Sequence, residues 1–422
     1  MKKKMVFLLV AVVVLVGLLI VNFASGEKKV ETDITHLYTV DDPQFFRSMG
    51  LLVGPSILDG NKATELINGD AIFSAMLEEI RNAKKTILFE TYIYWSGGIG
   101  EKFADALSER ARAGVKVHVL LDWVGSARMK DDLMQKMKDA GVEVEKYHPL
   151  RWYNLARLNN RTHRKLLIVD GRVGFTGGVG IAEEWTGHAQ DPEHWRDSHF
   201  RVEGPVVAQM QSVMLDNWVK TTGRVPHGAE YFPPLVPVGT QKAQMFASSP
   251  SGGSESMLMM YLLAITASTR TIDLSSAYFV PDGITRRALV AAMKRGVRVR
   301  IITPGPNIDA ETVRRASRGL WGELLEAGAQ MYEYQPTMYH CKVMIVDGLL
   351  TSVGSTNFDV RSFRLNDEAN LNVYDKEFAA RQTQVFEEDL KHAKRITFEQ
   401  WRHRPWNEKL HEHTVALLQP FL

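Results

Sequence analysis

Apolar positions fall in short runs separated by amphipathic stretches, and the same order of runs occurs twice along the chain. Residues Thr86 to Tyr94 predict a strand, Glu101 to Ala113 has the spacing of a one-faced helix, and Gly114 to Asp122 predicts a second strand. Thr271 to Val280, Thr285 to Arg295 and Gly296 to Thr303 repeat that order. Two further blocks match, Ala140 to Pro149 with Ala327 to Pro336 and His163 to Gly180 with His340 to Asn357. Strands alternating with helices predict an α/β fold of two similar lobes, each a mixed β-sheet flanked by helices, produced by internal duplication. The lobes are expected at residues 27–222 and 254–422, the second ending in a helical segment, with a Pro- and Gly-rich linker at 223–253. One spacing differs. Pro149 lies fourteen residues before His163 and Pro336 four before His340, so the first copy carries a ten-residue insertion, Leu150 to Asn159.

The amino terminus is a different material. Lys2, Lys3 and Lys4 precede an apolar run from Met5 to Val21, with low polarity continuing to Ala24. At about 1.5 Å per residue, roughly twenty such residues cross roughly 30 Å of hydrocarbon. Residues 1–26 therefore read as a membrane anchor; the competing reading is a signal segment cleaved near Ala24-Ser25-Gly26, whose apolar region is usually only about 7 to 15 residues. Three lysines before the run, against Glu27, Lys28 and Lys29 after it, favour an inside amino terminus and a body on the outer face. The insertion holds Trp152 and Tyr153 between Arg151 and Arg157, a composition suited to a bilayer interface, with a plain surface loop as the alternative.

Composition narrows the chemistry. Lys and Arg number 51 against 49 Asp and Glu among 422 residues, a balance that lacks the basic excess of proteins bound to long duplex nucleic acid. The single cysteine, Cys341, excludes an intramolecular disulfide and a Cys-based zinc site. Spaced histidines in Trp401 to Pro405 and Lys409 to His413 read as surface residues of a terminal helix, and neither a metal nor a cofactor is expected.

The reactive residues lie in the last matched block. His163, Lys165 and Asp170 in the first copy, and His340, Lys342 and Asp347 in the second, both follow the spacing H-x-K-x4-D. On a strand, side chains two apart share a face, so each imidazole is aimed with its lysine at one point. About 0.03 such motifs are expected by chance in a chain of this length, so a matched pair is informative. Gly177-Gly178 and Gly354-Ser355 follow, small residues that let backbone N–H groups approach an anion such as phosphate. Asp170 and Asp347 fall on the opposite strand face from the histidines, where forming a turn or bracing a lobe competes with contact to substrate.

This pattern resembles the phospholipase D superfamily and, more narrowly, the bacterial cardiolipin synthases. The narrower likeness rests on Asn160 to Lys165, Trp195-Arg-Asp197, Tyr278 to Asp282, Asp359 to Phe363 with Asn366-Asp-Glu368, and the ending Leu417 to Leu422. Two features depart from it: Gly180 stands where the first copy should carry the counterpart of Asn357, and one apolar span is present where many relatives have two. The resemblance implies a metal-free cleft between the lobes, with His163, Lys165, Asp170, His340, Lys342 and Asp347 as the catalytic set. Asn357, Gly178 and Ser355 would line the phosphate site, and Asp197 and Glu368 would each hold an imidazole. It further implies that His163 attacks phosphorus and that His340 serves as acid and then base. Phosphatidylglycerol would be donor and acceptor, giving cardiolipin and glycerol at the bacterial cell membrane. Hydrolysis to phosphatidic acid is the alternative. A nuclease is disfavoured by the charge balance and by Trp152-Tyr153, and a non-catalytic lipid-binding protein by the two intact motifs.

Overall fold

A computed structural model of the chain describes residues 2–24, 30, 32–149, 160–249 and 256–416. The insertion at 150–159, the carboxyl end from 417 and the possible cleavage point after Ala24 lie outside the described residues.

The first lobe carries β1 (Leu58–Ile67), β2 (Thr86–Thr91), β3 (Lys116–Asp122), β4 (Glu143–Tyr147), β5 (Arg161–Thr162), β6 (Leu166–Val169), β7 (Val173–Gly177) and β8 (Ser198–Glu203). Its helices follow α1 (Lys2–Ala24) and α2 (Pro43–Arg47): α3 (Asn68–Asn82), α4 (Gly98–Arg112), α5 (Asp131–Asp139) and α6 (Val207–Thr222). The second lobe repeats the order with β9 (Gln241–Ser248), β10 (Thr271–Ser276), β11 (Phe279–Val280), β12 (Arg298–Pro304), β13 (Gln330–Tyr334), β14 (Lys342–Val346), β15 (Leu350–Gly354), β16 (Phe358–Asp359), β17 (Asn366–Tyr374) and β18 (Ala393–Ile396). Its helices are α7 (Ser256–Ala267), α8 (Gly283–Lys294), α9 (Glu311–Gly319), α10 (Gly322–Glu326), α11 (Val360–Arg364), α12 (Lys376–Lys391), α13 (Phe398–Arg402) and α14 (Trp406–Ala416).

The lobes share one sheet. Its order is β18-β13-β12-β10-β14-β15-β17-β9-β1-β8-β7-β6-β2-β3-β4, so the two copies meet edge to edge where β1 pairs with β9. In each half three strands run parallel, β2-β3-β4 and β10-β12-β13, and the inner strands antiparallel, while β18 adds an antiparallel edge strand to the second half. Joining two sheet edges leaves neither exposed to unwanted pairing. The stretch expected to be a linker thus holds a central strand: β9 bonds β17 along its length and β1 at its start. The Pro and Gly content of residues 223–240 masked the alternation of Gln241 to Ser248, whose side chains are largely buried.

Both faces are covered, so every residue of β2 and all but the first of β10 are buried, polar ones included. Along β2, Ile87 and Phe89 join the core under α3 and α4, while Leu88 joins the core on the other face. That second core crosses the seam: Trp218 and Met214 of α6 and Phe378 of α12 pack with Phe200, Met245 and Leu371. The lobes are fixed to each other by this shared apolar layer as well as by the sheet. Among the residues whose side chains are described, no helix is long and apolar enough to cross a membrane; in α1 that set is limited to residues 4, 6, 7 and 9–17.

Candidate active site

In α/β sheets, ligands gather outside the carboxyl ends of parallel strands. Here β6 and β14 begin beside those ends, with Leu166 opposite Glu90 and Lys342 opposite Ser276, so both H-x-K segments enter the sheet at that edge. They are not regular strands throughout: residues 163–165 bridge β5 and β6, and Lys342 opens β14.

The two halves are interlaced. β5 runs parallel to the start of β17, and His163 donates its backbone N–H to the Asp367 carbonyl at 2.9 Å. The His163 ring then meets the next residue, with Nδ1 at 2.9 and 3.0 Å from the Glu368 oxygens. The second copy does the same in reverse. His340 donates its N–H to the Arg196 carbonyl at 2.8 Å, and its Nδ1 lies 2.7 Å from Asp197 Oδ2. Each imidazole is therefore oriented by the carboxylate of the other lobe, a crossing invisible to a comparison of the two copies. Two consecutive contacts, one backbone and one side chain, fix both the position and the rotation of each ring.

The carboxylates are themselves anchored. Asp197 accepts from Trp185 Nε1 at 2.9 Å and from the Ser198 N–H at 2.8 Å, and Glu368 accepts from the Ser355 hydroxyl at 2.5 Å and Asn366 Nδ2 at 3.3 Å. The lysines sit beside the rings: Lys165 Nζ donates to the His163 carbonyl at 2.8 Å, and Lys342 Nζ to the His340 carbonyl at 2.8 Å, with His340 Nε2 at 3.2 Å.

Burial decides the charges. It lowers His163 to about 4 and His340 to about 3; the neighbouring lysines add to the effect and the carboxylates oppose it. Both rings are neutral at pH 7. Asp197 and Glu368 stay below the usual carboxylate range, because contact with the imidazoles and lysines outweighs burial. Burial and the facing Lys342 ammonium bring Lys165 down to about 7, and burial also lowers Lys342. Two mutually repelling lysines in a dry site form a receptacle for an anion.

Other expected residues are placed differently. Asp170 and Asp347 do not face the cleft. The Asp170 carboxylate accepts the N–H groups of Lys84, Lys85 and Thr86 at 2.7–2.9 Å, and Asp347 those of Thr269, Arg270 and Thr271 at 2.7–2.8 Å. Both are turn residues with positive φ, 52° and 53°, that brace the starts of β2 and β10. The N–H groups of Gly178 and Ser355 are not offered to an anion, since they bond the Ser198 and Ala369 carbonyls. Position 178 is glycine for another reason: a Cβ there would lie 2.2 Å from Asp197 Oδ1. Asn357 is buried, and its side-chain oxygen has no partner among the described residues. Its counterpart is glycine because a Cβ at Gly180 would come within 2.8 Å of Ile93 and 3.2 Å of Trp185. Tyr92, 5.2 Å from the His163 ring between centroids, and Trp185, 5.2 Å from His340, were not singled out from sequence, whereas Trp195, one of the residues carrying the family likeness, lies 5.4 Å from His340. An aromatic just past the end of β2 was the available signal for Tyr92.

Residues 76–199 and 261–390 match the family described as cardiolipin synthase, PLD-like domain. The chain belongs to this family. Cardiolipin synthase of Geobacillus kaustophilus (strain HTA426) is 37% identical over 360 residues, covering 85% of this chain and 72% of that one. Cardiolipin synthase A of Pseudomonas putida (strain F1) is 34% identical over 377 residues, with 89% and 78% covered. The crystal structure of phosphatidylserine synthase from Haemophilus influenzae Rd KW20 shares the fold, with a TM-score of 0.66 at 15% identity over 85% of this chain and 95% of the other. The chain is thus a phospholipase D superfamily phosphatidyltransferase acting on phospholipid, and the duplicated fold expected from its sequence is present.

Proposed function

We propose that the chain is a membrane-anchored enzyme that makes cardiolipin from two phosphatidylglycerol molecules, releasing glycerol, through a phosphatidyl-histidine. The crossed pair of neutral imidazoles carries the reading. Each is held at Nδ1, which leaves Nε2 for chemistry, and the two lysines supply positive charge where a phosphodiester must sit. In the first step His163 Nε2 bonds to phosphorus as the phosphorus–oxygen bond to glycerol breaks, and His340 gives its proton to the departing oxygen. The bound phosphodiester's negative charge raises His340 so that it can carry that proton. In the second step the hydroxyl of the acceptor head group attacks phosphorus, the nitrogen–phosphorus bond breaks, and the hydroxyl proton passes to His340 Nε2. Asn357 is assigned to the phosphoryl oxygens.

Lipid substrates require a site at a bilayer. α1 supplies the anchor, with Lys2, Lys3 and Lys4 inside, the body on the outer face of the bacterial cell membrane, and the Trp152-Tyr153 insertion touching the bilayer. The balanced charge argues for lipid over nucleic acid. Purified protein given phosphatidylglycerol labelled in its head-group glycerol is expected to yield cardiolipin with one labelled glycerol released per molecule formed. Phosphatidic acid as the sole lipid product would replace transfer by hydrolysis. With a p-nitrophenyl ester donor, His340→Ala is expected to trap label on the peptide containing His163 and His163→Ala none; label on the His340 peptide would reverse the roles.

A further inference from the structure

The residue before each imidazole-binding carboxylate is buried and charged, with opposite signs in the two lobes: Arg196 precedes Asp197, and Asp367 precedes Glu368. Arg196 has the denser set of contacts. Its Nε and Nη2 donate to the two oxygens of Asp389 at 2.8 and 2.9 Å, and its Nη1 to the Asp197 carbonyl at 2.6 Å and the Ser198 hydroxyl at 3.0 Å. Asp389 lies on α12 of the second lobe and also accepts from the hydroxyl of Tyr339, the residue before His340, at 2.9 Å. The Arg196 peptide completes the clasp, donating to the Met338 carbonyl at 3.0 Å and accepting from His340 at 2.8 Å. One residue therefore holds the backbone at Asp197 and at the segment leading into His340, the two partners of a single hydrogen bond, and its anchor comes from across the seam.

An ion pair that merely glued the lobes together could sit anywhere along the interface. This one is bonded on both sides of the 2.7 Å contact that orients His340. The equivalent site beside Glu368 is built otherwise, with the Asp367 carboxylate accepting from Tyr147 at 2.5 Å. The His163 half does not depend on Arg196.

We propose that Arg196 is a positioning residue for His340: its guanidinium, locked by Asp389, sets the Asp197–His340 hydrogen bond and makes the acid–base half of the reaction depend on docking of the two lobes. The proposal rests on the reading of His163 as nucleophile and His340 as acid and base. It predicts a split between the two chemical steps. When the leaving group is p-nitrophenolate, attack by His163 forms the nitrogen–phosphorus bond and expels a stable anion that needs no proton. The second step still needs His340, because the acceptor hydroxyl must lose its proton as it bonds to phosphorus.

The test uses full-length protein in mixed micelles with a p-nitrophenyl phosphatidyl donor and phosphatidylglycerol as acceptor. Arg196→Lys and Asp389→Asn should keep a burst of about one nitrophenolate per site while steady turnover falls about 100-fold, the scale of a misplaced catalytic group. Arg196→Lys should retain more turnover than Arg196→Met. Parallel loss of burst and turnover would mark Arg196 as structural and overturn the proposal, as would wild-type turnover in folded Asp389→Asn; that variant carries the test if the Arg196 variants fail to fold. Wild-type protein that makes cardiolipin with no burst would instead overturn the two-step reading, and the proposal with it.

Discussion

Lys165 shows how a residue type legible in sequence acquires its working property only from packing. The spacing H-x-K placed it beside His163, but its shift to about 7 comes from burial and from Lys342 of the other lobe, neither of which a strand pattern contains. Its ammonium is needed where negative charge builds up on the phosphoryl oxygens. In the free enzyme that charge is lost as pH rises through about 7, so kcat/KM for phosphatidylglycerol should fall above that pH, while bound phosphodiester holds the proton on and moves the limb of kcat to higher pH. Lys165→Arg keeps a charge at every working pH, so its kcat/KM limb should move up by a unit or more despite a lower maximum. A limb unmoved in that variant would assign the titration to another group. The aspartates of the motif teach the opposite lesson. Sequence reasoning placed them on the strand face away from the histidines, yet the resemblance kept them in the catalytic set; three backbone donors per carboxylate show where they act.

Those aspartates belong to the scale of elements, since each ties the start of one strand to the turn ending its neighbour. Asp347 sits in the turn after β14 and holds the three N–H groups leading into β10. Its replacement by Ala would leave those donors without their acceptor and put a Cβ residue lacking a side-chain hydrogen bond at φ 53°. Asp347→Ala should therefore cost about 2–4 kcal/mol in denaturant unfolding, while the folded fraction keeps kcat within about threefold, far from the hundredfold or greater loss expected of a group that transfers protons. Loss of kcat at unchanged stability would return Asp347 to the catalytic set. At this scale the strand–helix–strand repeats were legible because short apolar runs mark β2, β3 and β12 (Ile87 to Phe89, Val119 to Leu121, Ile301-Ile302) and Ile272 and Leu274 recur at the strand period in β10. β9 was not, because its register is set by pairing with β17 and β1, partners more than a hundred residues away in sequence.

At the scale of the whole molecule, three imidazoles, His163, His199 and His340, are buried and neutral, lowered by burial to about 4, 3 and 3. In the unfolded chain each binds a proton near pH 6.5. Between that pH and the lowered values the unfolded state holds more protons, so stability should fall as pH drops below about 6.5, level off near the lowered values, and be insensitive to these groups above about 7.5. Denaturant midpoints flat from pH 7.5 to 5 would show the rings to be charged in the folded protein.

The crossing of carboxylates also belongs to the whole molecule. Asp197 and Glu368 occupy matching positions in the two copies, so the sequence could nominate both but not say which histidine each serves; only the parallel pairing of β5 with β17 and the bridge between Arg196 and Tyr339 decide it. A carboxylate at Nδ1 holds the ring's tautomer and supports the positive charge it gains at Nε2. If each acts through the ring it touches, Glu368→Gln should weaken His163 as nucleophile and slow the first nitrophenolate release, with later turnover limited by that same step. Asp197→Asn should leave the release fast and stall transfer to the acceptor, so that phosphatidyl-enzyme accumulates on His163 and can be caught by acid quench. Each defect should be about a hundredfold or more, because a neutral amide can orient a ring but presents the wrong charge to it. Rapid-quench measurement of both variants decides the matter: a slow first release in Asp197→Asn with a fast one in Glu368→Gln would mean that each lobe serves its own histidine in turnover, and that the interlaced geometry is not the working one.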